Sequence, residues 1–98
     1  MIKHIVVWKF KEDINKEEKA LLIKEKLLQL KDKIAEIKMI EVGINFNNSD
    51  DSSDIILISE FETKEDLDMY QKNPIHQAVG RDYIKPFVCE RRVVDYEF

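Results

Sequence analysis

Ninety-eight residues with 44% hydrophobic content suffice for one core and leave no room for a second. Twenty acidic and sixteen basic side chains give a net charge of −4, and their mixing along the chain argues against a nucleic-acid surface. Cys89 is the single cysteine, which excludes an internal disulfide and a cysteine-based metal cluster. No apolar run is long enough to span a bilayer, and Met1 leads directly into a strand pattern without a signal peptide, so one cytoplasmic domain over residues 1–98 is expected.

The opening IKHIVVWKF alternates. Ile2, His4, Val6, Trp8 and Phe10 share one face; Lys3, Ile5, Val7 and Lys9 share the other. Both faces carry bulky apolar groups, so this strand needs two covers. Asn15 then suits a helix cap, with Glu18 three residues on. Ala20, Ile23, Leu27, Leu30, Ile34 and Ile37 recur at helical spacing, and Leu21, Leu22 and Leu28 widen the stripe to suit packing on a sheet. The lysines and acids between them read as a solvated face.

Residues 38–46 alternate again, with Ile40, Val42, Ile44 and Phe46 on one side. Gly43 inside this strand predicts a bulge or the close approach of another backbone. The stretch NNSDDSSD, residues 47–54, reads as a solvated hairpin loop, since the glycine and distal glutamate of a calcium loop are missing.

Ile55-Ile56-Leu57-Ile58 predicts a strand covered on both faces. Thr63 and Asp66 form a capping-box pattern ahead of a short helix with Leu67, Tyr70 and Met69 inward. Pro74 ends that helix, and Asn73 caps a second one. Ile75, Ala78 and Val79 are expected to face inward from it, and Gly80 to terminate it. A straight helix, at ~100° per residue, would put Tyr70 and His76 on different faces; the break allows them to converge. Residues 81–86 read as a connector. Residues 87–98 read as a polar edge strand, with Cys89 a small packed side chain.

The order β-α-β-β-α-β predicts a ferredoxin-like α+β fold with a four-stranded antiparallel sheet. Helices cover one sheet face. Ile5 and Val7 leave an apolar patch on the other, which predicts a homodimer.

The chain resembles the stress-responsive α/β-barrel (Dabb) family over nearly its whole length. The resemblance rests on IKHIVVWKF, on DIILISEF followed by a capped helix, on Tyr70-x-x-Asn73-Pro74-x-His76, and on Arg92-x-x-Asp95-Tyr96. The family's usual motif has histidine before the proline; Asn73 stands there in this chain. The resemblance implies a dimeric α/β barrel with two sheets face to face. Function in the family is mostly undefined. One member, olivetolic acid cyclase, performs an aldol-type cyclisation of a polyketide without a cofactor. By resemblance, Tyr70 and His76 are the catalytic pair, and His4 corresponds to a first-strand histidine. Some members hold magnesium on backbone carbonyls near residues 31–37, a site without a side-chain signature; no side-chain metal site is expected.

The chemistry is coherent. Proton removal alpha to a carbonyl needs a neutral base, and a histidine is available near pH 7. The developing enolate needs a donor, and a tyrosine hydroxyl is one. His4, Val6 and Trp8, on the helix side of the first strand, are the expected substrate-binding residues. Three readings follow. The first is a cofactor-independent cyclase or lyase acting on a small organic molecule in a sheet–helix cavity. The second is a non-catalytic stress-response or ligand-binding dimer. The third is a monooxygenase-like enzyme, which rests on the fold alone.

Overall fold

A computed structural model describes residues 1–98. Four strands, β1 (Ile2–Phe10), β2 (Met39–Ile44), β3 (Ile55–Phe61) and β4 (Val88–Glu97), form one antiparallel sheet in the order β2-β3-β1-β4. Helices α1 (Lys16–Lys33), α2 (Lys64–Lys72) and α3 (Pro74–Val79) belong to its one covered face. A π-helical turn (Gly80–Ile84) and a 3₁₀ turn (Lys85–Phe87) join α3 to β4. No helix is long and apolar enough to cross a membrane.

Alternation sets the core. In β1 the even side chains are buried and the odd ones half-buried; β3 repeats this with Ile55, Leu57, Ser59 and Phe61 inward. Against them α1 packs Ala20, Ile23, Leu27 and Leu30. Asn15 caps α1 by accepting from the Glu18 N–H at 3.0 Å. The helix stops at Lys33, one turn short of the apolar pattern. Ile34 adopts an extended backbone, and both it and Ile37 are buried from the loop that follows. Leu21 and Leu28, expected to widen the stripe, are 58% and 38% exposed. A stripe centred on Ile23, Leu27 and Leu30 already fills the width of sheet that one helix covers.

The loop before β3 is not merely solvated. Asp54 Oδ2 accepts from the Phe10 N–H at 2.7 Å, and the Asp54 N–H donates to the Trp8 carbonyl at 2.8 Å. Gly43 sits in unbroken register opposite Ile56, without a bulge. The close neighbour there is a side chain: a Cβ at Gly43 would lie 3.0 Å from Ile56 Cγ2.

The bulge lies at β4 instead. Lys9 pairs with Glu90 and Phe10 with Val88, so Cys89 is the extra residue. It is exposed, with its thiol 3.5 Å from the Phe10 carbonyl, not packed in the core. Beyond the bulge, Arg91, Val93 and Asp95 lie opposite Trp8, Val6 and His4 on the helix side, and Arg92, Val94 and Tyr96 face away.

Candidate functional site

The site is built where α2 breaks. Thr63 Oγ1 accepts from the Asp66 N–H at 3.1 Å and starts α2. Leu67 and Tyr70 turn inward; Met69 is 56% exposed. Asn73 takes an extended backbone, and its side-chain oxygen accepts from the Ile75 N–H at 2.9 Å. Pro74 follows in the first turn of α3. The restart sends Ile75 outward, against expectation, and turns His76 back toward Tyr70. Gly80 does not stop the chain: it keeps right-handed helical dihedrals and passes α3 into the π-helical turn. Ile84 at the end of that turn is buried.

The His76 ring lies 4.2 Å from the Tyr70 ring, centroid to centroid, at a tilt of 46°. His4 meets Tyr70 edge-on at 6.1 Å. Phe61 closes the group from β3, 4.9 Å from Tyr70. His4 is buried, and its Nδ1 is engaged by Asp95 Oδ1 at 2.5 Å across the β1–β4 pair. Asp95 is thus the side-chain partner of His4. Ser59, also buried, donates to the His4 carbonyl at 3.4 Å.

Two polar atoms in this group have no partner: the Tyr70 hydroxyl and His76 Nδ1. Burial pushes the Tyr70 hydroxyl far above the ordinary tyrosine range, against a small opposing effect of the Arg91 charge. Burial also lowers the His76 pKa, helped by the charges of His4 and Arg91 and opposed by the backbone at Gln71. His76 is therefore neutral at pH 7, and a neutral imidazole keeps one unprotonated ring nitrogen.

A cleft of about 600 Å³ opens beside the cluster, between β1, β4 and the α3–π-helical segment. His4, Val6 and Trp8 line it from β1, and His76 from α3. Tyr70 does not line it; it is fully buried, with its ring against that of His76. Arg81, Lys85 and Arg91 also line the cleft, and none of the three stands out in the sequence. Asp95 belongs to the Arg92-x-x-Asp95-Tyr96 motif, and Arg91 precedes it in the same alternating strand. Which of those residues faces His4 depends on pairing and on the bulge. No cluster of three histidine, cysteine or acidic side chains is arranged to hold a metal ion.

Comparison with known proteins locates the chain. A dimeric protein of unknown function with a ferredoxin-like fold from Bacteroides fragilis superposes with a TM-score of 0.90 at 36% identity, covering 99% of this chain and 95% of that one. A Dabb family protein with a ferredoxin-like fold from Mesorhizobium loti gives 0.75 at 24% identity, over 98% and 94% of the two chains. A hydroxynitrile lyase from Passiflora edulis gives 0.82 at 17% identity, over 97% and 90%, a likeness of fold alone. A search of curated proteins finds no match. The model of the stress responsive A/B barrel domain matches residues 2–98, and with it the chain belongs to the Dabb family.

Proposed function

We propose that this chain works as a homodimer that binds a small organic molecule in the cleft beside His76, and acts on it as a cofactor-independent cyclase or lyase. The observation that carries the reading is His76, which lines a cleft of ligand size and lies against the ring of Tyr70, whose buried hydroxyl has no partner. A neutral His76 takes the proton alpha to a carbonyl, and the enolate oxygen that forms draws on the Tyr70 hydroxyl. Nothing in the protein competes for that hydroxyl. The hydroxynitrile lyase of similar fold supports lyase chemistry on this architecture by analogy only.

A second reading, a dimer that binds without reacting, is favoured by one specific fact: Tyr70 is fully buried and does not line the cleft. Turnover of a 1,3-dicarbonyl or polyketide-like substrate separates the two. On the catalytic reading, His76→Ala abolishes turnover while circular dichroism stays unchanged. Tyr70→Phe keeps binding and slows the reaction by roughly 10²–10³-fold, the usual effect of losing one enolate or oxyanion donor. Turnover that survives both substitutions removes the pair from the chemistry. Binding without turnover in the unaltered protein leaves the second reading.

A further inference from the structure

The cleft carries a charge pattern that the chain as a whole does not. The sequence is acidic, at −4 overall, yet no carboxylate lines the cleft and three cations do. Arg81 is engaged by Asp82 at 2.9 Å. The nearest acid on β4, Asp95, is taken by His4. Lys85 and Arg91 have no ion-pair partner anywhere in the protein. Both are exposed at the rim, while Val6, Trp8 and Leu27 below them are buried and Val88 is half-buried. Unpaired cations over an apolar floor attract a molecule with the opposite layout.

We propose that the cleft takes an amphipathic organic anion, its apolar body on Val6, Trp8, Leu27 and Val88 and its acidic head between Arg91 and Lys85. This rests on the ligand-binding reading above and names the ligand class. The volume, about 600 Å³, accepts a chain or ring of eight or more carbons. Arg91 offers a planar fork that suits a carboxylate or a phosphate, and Lys85 adds a point charge. The same Arg91 charge reaches both Tyr70 and His76, so an anion that neutralises it also alters the field at those two groups.

Trp8 is the sole tryptophan and lines the cleft, so its fluorescence reports occupancy. Octanoate, octyl phosphate and 1-octanol share one body and differ in the head. The two anions are expected to bind at least tenfold more tightly than the alcohol, and more weakly as salt is raised. Whichever anion binds better identifies the head. Arg91→Gln and Lys85→Gln should each cut anion affinity by about threefold to tenfold and leave octanol unchanged. Both sites are exposed, and circular dichroism checks that each variant is folded. Octanol binding as tightly as the anions, or an anion preference that survives the double variant, overturns the proposal and leaves the cavity reading standing. Failure of all three probes to bind overturns both.

Discussion

Tyr70 and His76 each bury a polar atom that the protein leaves unsatisfied. A group in that state costs roughly 1–3 kcal/mol. Tyr70→Phe removes the stranded hydroxyl and little else, so the denaturation midpoint should hold or rise. A loss above about 1 kcal/mol would show that the hydroxyl has a partner in solution. For His76 the sign follows from burial. Its folded pKa lies below the ordinary histidine value of 6.5, so on acidification the unfolded chain takes up its proton first. The contribution is absent well above pH 6.5 and becomes destabilising as pH falls through that value. The difference in stability between the protein and His76→Gln should therefore be flat at pH 7–8 and change below about 6.5. A flat difference down to pH 5 would place the ring in solvent. Both residues could be found in the sequence because proline and an asparagine cap leave local signatures. Asp95 is present in the closing motif, but that it faces His4, and Arg91 the cleft, depends on cross-strand register, which alternation alone does not phase.

At the level of elements, strands and caps were legible because their signals are local: a period of two in β1, a continuous apolar run in β3, Asn15 and Thr63 at helix starts, Asn73-Pro74 at the break. The misreadings have separate causes. Apolar spacing identifies what is buried, not what is helical, so Ile34 and Ile37 continue the α1 pattern although the backbone leaves the helix before them. Gly80 predicts a stop because glycine favours left-handed caps, but its dihedrals are ordinary helical ones and the chain goes on. Asp54 sat among loop acids with nothing in sequence to single out its bond to Phe10. Leu27 lies at the centre of the α1 stripe, is 2% exposed, and lines the cleft. Leu27→Ala should destabilise the fold by about 2–5 kcal/mol in a denaturant titration. A shift of under 1 kcal/mol would mean that the cleft collapses to fill the space.

On the scale of the molecule, the sheet has one covered face and one bare one. Ile5, Val7, Ile56 and Ile58 stay half-buried on the bare side, and Val94 beside them is 60% exposed. The Bacteroides fragilis protein of the same fold is dimeric. Our proposal that this chain also pairs through that face is within reach of its size, since a standard interface buries roughly 800 Å² per partner. Sedimentation should show a dimer at micromolar concentration, and Val7→Lys should move the protein to monomer by placing an unpaired charge at the contact. A monomer in the unaltered protein would require another occupant for the bare face.

The extra residue in β4 has a consequence for how this chain can change length. In a plain strand, Val88 and Arg91 would point to opposite sides; with Cys89 looped out, both line the cleft. Because Glu90 already pairs with Lys9 and Val88 with Phe10, deleting Cys89 would join two residues whose partners are adjacent. Regular pairing would then continue with no side chain changing face. Losing Val93 instead would turn every residue on one side of the gap over, sending either Arg91 or Asp95 away from the helices. Cys89 is thus a point of slack in an otherwise phase-locked strand, where the chain can shorten by one residue and keep both its cleft and its bare face.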